Sequence, residues 1–310
     1  MSRARQDTET AETARPESAA PDALALRLHG HVQRLATGIG ERNVWRPDAL
    51  YAAADYIRSV WTSQGLTVEG QRYTVEDVES ENLEVTLPGT GQPEAILLVG
   101  AHYDTVPGSP GADDNASGVA ALLELPGLLA GRQRNLTLRF VAFVNEEPPF
   151  FFTANQGSRV HARAARRRGD DIRLMISLEM LGCYCDTPGC QRYPPLFRYF
   201  HPPQGNFIAF VSNLRSRRAM RRFARAFRRH SDFPCEQTAT FAWVPGVGWS
   251  DHLSYWLHRY RAMMITDTAF YRYPCYHLLC DTPEKLDYRR MARVTRGVAD
   301  ALAELAVTGI

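Results

Sequence analysis

The chain has no apolar run approaching the roughly 20 residues needed to cross a bilayer; its densest, Ala95 to Ala101, has the length of a strand. A membrane span is excluded on that count. Lysine is nearly missing, since Lys285 is the only one among 36 basic residues, a bias that reads as genomic rather than functional. Charge of one sign is missing too: 36 basic and 34 acidic residues leave a net charge of +2, which argues against a polyanion-wrapping protein. The six cysteines, Cys183, Cys185, Cys190, Cys235, Cys275 and Cys280, include no C-x-x-C pair and are too few for a disulfide framework. Cys183, Cys185 and Cys190 lack the fourth ligand of a closed zinc site. Cys275 and Cys280 could close a small loop around His277, but in a reducing compartment free thiols are expected.

What remains is an ordinary globular composition, 45% hydrophobic and 23% charged over 310 residues. Residues 1–21 are polar, without an apolar core or a small-residue cleavage site, and read as a disordered leader rather than a secretory signal. The expectation is a cytoplasmic protein, with export open only if the start site is misassigned. Residues 22–310 contain no repeat and no linker, so one domain is the simplest reading.

Leu24, Leu28, Val32 and Leu35 recur at helical spacing, and a second helix opens at Pro47 with Leu50, Ala54, Ile57 and Trp61 on one face. Residues 66–74 and 82–87 alternate like half-buried strands, whereas 95–100, 136–144 and 172–178 are continuously apolar, as in a sheet interior. Residues 116–129 form the helix after the first apolar strand, with Pro126 expected to kink or end it early. Further helices are expected over 158–168, 215–229, 254–258 and 287–306. The pattern predicts an α/β fold, a largely parallel centre with an antiparallel margin. In the helix over 215–229, eight arginines surround a Met220, Phe223, Ala224 and Phe227 stripe; the expected role is a core-facing stripe with solvated arginines, not a nucleic-acid surface.

The chemistry-bearing residues fall at strand ends. His102 and Asp104 follow the 95–100 strand, Asp113 and Asp114 lie in the turn opening the next helix, Glu146 and Glu147 end the 136–144 strand, and Glu179 ends the 172–178 strand. In an open α/β sheet the carboxyl edge is the ligand crevice, so these residues should converge. Several carboxylates in one cleft repel each other and lose solvation unless a cation neutralises them. Carboxylate and imidazole without thiolate suit zinc, with manganese or cobalt as substitutes.

The ordered segments Gly100-Ala-His-Tyr-Asp-Thr, Gly111-Ala-Asp-Asp-Asn-Ala-Ser-Gly118, Asn145-Glu-Glu, Ser177-Leu-Glu-Met-Leu-Gly182, Trp249-Ser-Asp-His, and Tyr276-His with Asp281-Thr-Pro resemble the di-zinc exopeptidases. That family includes bacterial leucine-type aminopeptidases, glutamate carboxypeptidase and glutaminyl cyclase. The resemblance implies a three-layer α/β/α sandwich of zinc-exopeptidase (phosphorylase/hydrolase-like) type, with a mixed, centrally parallel sheet. It also implies two Zn²⁺ per chain, one on His102 and Glu179, the other on Glu147 and His277, with Asp114 bridging. Glu146 matches the general base, Tyr276 an oxyanion donor, and Asp104 a residue orienting His102; Asp113 is a neighbour, not a ligand. Asp251 and His252 are either groups supporting the site or the cap of a helix. Where relatives carry Gly-Leu and a small residue after the Glu pair, Pro148-Pro149-Phe150-Phe151-Phe152 stands here, lining the pocket or packing in the core.

The expected activity is hydrolysis of amino-terminal residues from a peptide substrate with a free amino terminus. The alternatives are a glutaminyl-cyclase-like acyltransferase using one zinc, a carboxypeptidase or amidohydrolase, and, last, a non-catalytic binding module. Oligomeric state is left open by the sequence.

Overall fold

The computed structural model describes residues 22–310; the leader over 1–21 lies outside the described residues. Its centre is an eight-stranded sheet of β1 (Glu69–Val75), β2 (Val78–Leu87), β3 (Gln92–His102), β4 (Leu136–Phe143), β5 (Asp171–Glu179), β6 (Ile208–Asn213), β7 (Cys235–Thr240) and β8 (Ala262–Thr266). The spatial order is β1-β2-β4-β3-β5-β8-β6-β7. Strands β4, β3, β5 and β8 run parallel, β1 and β2 add an antiparallel margin, and β6 pairs antiparallel to β8. The expected mixed, centrally parallel sheet is therefore present.

Alternation along β3 sets the layers. Leu97, Val99 and Ala101 join the large core with α1 (Ala23–Val32), α2 (Pro47–Ser63), α3 (Gly118–Leu129), α5 (Arg217–His230) and α7 (Tyr288–Thr308). Ile96 and Leu98 point the other way, against Ala162 and Ala165 of α4 (Gly157–Arg168) and Tyr255 of α6 (His252–Leu257). Both faces of the sheet are covered, which is why β3, β4 and β5 read as unbroken apolar runs.

Two local expectations fail. Helix α3 continues three residues past Pro126, held by the buried Leu125 and Leu129 rather than by propensity. Strands β6, β7 and β8 went unread, because five or six residues without clean alternation carry no periodic signal. The arginine-rich helix α5 behaves as expected: Met220, Phe223, Ala224 and Phe227 are buried. Among the described residues, no helix is long and apolar enough to cross a membrane.

The cysteine expectation is overturned. Cys185–Cys190 and Cys275–Cys280 are disulfides, with Cα separations of 6.5 and 5.4 Å, while Cys183 and Cys235 are free thiols. A spacing of five residues in a folded-back loop brings the Cα atoms into disulfide range, which spacing alone does not reveal. The pairing also rules out a Cys183, Cys185 and Cys190 thiolate site.

Candidate metal centre

Parallel pairing brings the strand ends to one edge: His102 of β3 is opposite Phe143 of β4, and β5 ends at Glu179. Past β4 the chain turns at Asn145, in the left-handed region at φ 57°, and delivers Glu146 and Glu147. Asparagine tolerates that conformation better than most residues. Asp114 comes from a wide turn over Ala112–Ser117 entered by Gly111 at φ 60°, where a Cβ would strike Thr105 and the Asp114 carbonyl. His277 is carried by the loop between Cys275 and Cys280.

Asp114 sits between two sets of ligating atoms. His102 Nε2 is 3.3 Å from Asp114 Oδ1 and 3.5 Å from Glu179 Oε2. On the other side, His277 Nε2 is 3.2 Å from Asp114 Oδ2 and 3.3 Å from Glu147 Oε2. One atom from each of His102, Asp114 and Glu147 lies within 4.8 Å of the others. All five residues expected at the metals are thus brought together.

The hydrogen bonds holding them come partly from residues the sequence reading undervalued. Asp104 accepts the backbone N–H groups of Glu146 (3.0 Å) and Glu147 (3.1 Å), so its carboxylate fixes that turn. Its link to His102 is looser: Nδ1 is 3.3 Å from the Asp104 carbonyl and 3.6 Å from the carboxylate. Asp281 repeats the device 167 positions from Asp114, accepting from the backbones of Asp113 (2.8 Å) and Asp114 (3.1 Å) and from the Tyr273 hydroxyl. Asn115 donates to the Leu178 carbonyl and accepts from the backbone of Met180, joining the Asp114 turn to the end of β5. Ser250 donates to Glu179 Oε2 at 2.7 Å. The signal for Asp281 and Ser250 was their position inside the quoted motifs; nothing in their residue types singled them out. Asp113 accepts from the Gly182 backbone at 2.8 Å.

Electrostatics decide what the cluster can hold. Burial pushes Glu146 well above the usual carboxylate range, opposed by His102 and reinforced by Glu147, Asp251 and Glu179. Glu147 is raised to about 8 by burial and by Asp114, against the pull of His277. For the histidines burial acts downward, yet Glu179, Asp104 and Asp114 hold His102 well above its ordinary value, and Asp114 and Glu147 raise His277 to about 10. Burial works to raise Asp114 as well, but its two histidines win and hold it low. Arg42, fully buried and lowered to about 10 by that burial, spends its donors on the carbonyls of Tyr103, Pro110, Gly111, Gly40 and Leu35. None of these hydrogen bonds goes to a carboxylate. Asp114 Oδ1 and Glu147 Oε1 are buried without a hydrogen-bond partner. Unpaired buried oxygens, acidic excess and a hard N/O donor set fit divalent cations such as zinc.

The remaining expected residues divide. Tyr276 stacks on His277 with centroids 3.8 Å apart and lines a cavity of about 340 Å³ that also touches Asp114, Glu146, Glu147, Glu179 and His277. Burial raises its phenol, as do Asp114 and Glu147, so it remains a donor. Asp251 begins α6 but its carboxylate caps no N–H; buried, it is raised to about 7. His252 donates from Nε2 to the Val247 carbonyl at 2.8 Å and packs edge-on to Trp256, and burial lowers it to about 4. It hydrogen-bonds no member of the cluster. The aromatic run after Glu147 splits: Phe151 and Phe152 line the cavity, whereas Phe150 is buried and stacks on Trp45 at 6.2 Å.

A doubly covered mixed sheet with a carboxylate and imidazole cluster at its carboxyl edge fits a metallo-exopeptidase, and the family match below bears that class out. The model of Peptidase family M28 matches residues 82–302, and the chain belongs to that family. It is 38% identical over 296 residues to the uncharacterized protein YfbL of Escherichia coli (strain K12), covering 93% of this chain and 89% of YfbL. It also matches leupeptin-inactivating enzyme 1 of Streptomyces exfoliatus at 32% identity over 125 residues, spanning 39% of this chain and 28% of that relative. In fold it is similar to BSAP, a zinc aminopeptidase from Bacillus subtilis, with a TM-score of 0.71, 15% identity and coverage of 90% of this chain and 94% of that one. A glutaminyl cyclase from Bacteroides thetaiotaomicron gives 0.66 at 19% identity, covering 90% of this chain and 97% of that one.

Proposed function

We propose that the chain is a zinc aminopeptidase that removes amino-terminal residues from peptides. The observation that carries this reading is the charge of the cavity beside the cluster. Its described lining is Asp114, Glu146, Glu147, Glu179 and His277 with Pro148, Phe151, Phe152, Trp249 and Tyr276, and contains no arginine or lysine. A substrate ammonium finds carboxylates there, while a substrate carboxylate finds no arginine or lysine to pair with, which disfavours a carboxypeptidase.

In this reading His102 and Glu179 would hold one zinc and Glu147 and His277 a second, with Asp114 shared between them. Zinc so held supplies Lewis acidity and a water whose pKa falls from 15.7 towards 7. Glu146 has the role of base: its side chain has no hydrogen-bond partner among the described residues, and burial raises its proton affinity. It accepts the proton of the attacking water and returns it to the leaving amine. Tyr276, protonated and facing the cavity, donates to the oxyanion that develops on the scissile carbonyl. Phe151 and Phe152 exclude water beside the reacting bond and favour apolar neighbours. Residues 22–310 act as one catalytic unit.

For location, two disulfides weigh against the expected cytoplasm, since such bonds persist in oxidising compartments. We place the working protein in an oxidising environment; cell fractionation checks this.

The test is a panel of aminoacyl nitroanilides set against peptides with amino-terminal glutamine, with zinc counted on the same sample. Hydrolysis of the anilides with two zinc equivalents supports the aminopeptidase; release of a cyclised amino terminus with one equivalent supports the cyclase and refutes this reading. Glu146→Gln is expected to keep both equivalents and lose turnover by a factor of 10² or more, about the worth of a general base.

A further inference from the structure

The two histidines of the cluster are oriented by different means. Nδ1 of His102 faces the Asp104 carbonyl and carboxylate, at 3.3 and 3.6 Å. A metal-bound histidine is commonly fixed in this way by a partner on its other nitrogen. His277 engages Asp114 and Glu147 through Nε2, but no hydrogen bond to its Nδ1 exists among the described residues. Nor does regular structure hold it. His277 lies at φ 60° in an irregular loop, and Leu278, Leu279 and Cys280 after it are exposed, Leu279 by 78%.

Beside the stacking of Tyr276 on His277, two ties hold that loop to the rest of the fold. Asp281 anchors its far end to the Asp113–Asp114 turn and to Tyr273. Cys275, only 8% exposed and packed with Met180 and Tyr273, ties the exposed Cys280 back to the protein interior through the disulfide, bracketing Tyr276 and His277. Inside the bracket only the Leu278 N–H to Cys275 carbonyl bond (3.0 Å) spans the turn at His277.

We infer that Cys275 and Cys280 are positioning residues: their disulfide fixes His277 in place of a hydrogen bond to Nδ1, so the affinity of the His277 side of the cluster for its metal depends on this bond being closed. The inference rests on His277 being a metal ligand. Opening is a two-electron reduction. With a water-soluble trialkylphosphine as reductant, the S–S bond breaks, each sulfur leaves as a thiol, and phosphorus takes oxygen from water to become the phosphine oxide.

The experiment titrates zinc into chelator-stripped, full-length protein against a chromophoric zinc indicator. In the Cys275→Ser/Cys280→Ser double variant one zinc equivalent is expected to weaken by tenfold to a hundredfold, the range for losing an outer-shell partner, while the other stays within twofold. Phosphine is expected to reproduce that selective loss in the wild type and to add nothing in the double variant, which separates bracket opening from chelation and from reduction of Cys185–Cys190. Loss of both equivalents together, or retention of both in the double variant and in phosphine-treated wild type, overturns the inference. His277→Ala is the reference: it must remove the same equivalent. If His277→Ala leaves both equivalents bound, the ligand assignment itself is refuted, and this inference with it. Should the double variant not fold, the phosphine titration of folded wild type, with Cys185→Ser/Cys190→Ser as control, decides alone.

Discussion

Ser250 donates its hydroxyl to Glu179 Oε2 at 2.7 Å across 71 positions of sequence, and its oxygen also lies 2.7 Å from that of Ser177. Ser250→Ala removes the group that orients Glu179 without touching a carboxylate or an imidazole. Zinc affinity on the His102 side is expected to fall about tenfold, as for other outer-shell losses, with the fold intact. Indicator titration measures it; an affinity within twofold of wild type would show that β5 alone orients Glu179.

Asp281 satisfies three buried donors, the backbones of Asp113 and Asp114 and the Tyr273 hydroxyl. Each buried donor left unpaired costs about 1–3 kcal/mol. Asp281→Ala is therefore expected to lose about 3 kcal/mol or more, read from the urea midpoint at unchanged m-value. Asp281→Asn keeps one acceptor and is expected to lose less.

In the metal-free protein two buried carboxyls are expected to withdraw stability as pH rises from about 4 to 7, while His252, lowered to about 4, adds stability over the same range. Burial raises Asp251 from 3.8 to about 7 and Asp267 from 3.8 to about 6. Because the folded form binds the proton more tightly, this stabilisation is complete below the unfolded pKa and disappears as pH passes the folded value. Asp251→Asn cannot ionise, and it should flatten the upper part of the curve. Urea unfolding of chelator-treated wild type and Asp251→Asn at pH 4.5 and 7.5 checks it: the variant should gain stability relative to wild type at pH 7.5, and an equal pH difference in both proteins would refute the argument.

Phe150 and Phe151 are adjacent yet should respond oppositely. Phe150 is buried against Trp45, and Phe150→Ala is expected to cost about 3–5 kcal/mol of stability, as for other large-to-small core changes. Phe151 lines the cavity, so Phe151→Ala should leave the melting temperature near wild type and raise KM for apolar substrates. Thermal melts and Michaelis curves on the same preparations separate the two.

Chelation should abolish hydrolysis, and added zinc should restore it. Zinc should also raise the unfolding free energy by about 4 kcal/mol at a free concentration 1,000 times the dissociation constant. Manganese or cobalt should restore part of the activity, since the donors are carboxylate and imidazole.

Much of the fold was legible because its central strands are buried on both faces. Residues 95–100, 136–144 and 172–178 are apolar without interruption, and only the middle of a covered sheet calls for that. The five cluster residues were legible by position, each at the end of such a strand or in a turn matching a recognised motif. Strands β6 to β8 were not, since short strands at a mixed edge have no period to read. Pro126 misled for a related reason: local propensity foretold a break, and tertiary packing carried α3 onward.

Composition, periodicity and motif order determined the class of fold, the edge where ligands gather and the residue types that gather there. Only the tertiary structure decided how each side chain is held. Asp104 turned out to hold Glu146 and Glu147 more firmly than His102, Asp281 reached across 167 positions to Asp114, His252 withdrew to a backbone carbonyl, and two cysteine pairs closed. Those outcomes turn on distances of a few tenths of an ångström between groups far apart in the chain. A linear pattern says which groups can meet, but hydrogen bonds and disulfides form only where packing sets their separation and angle.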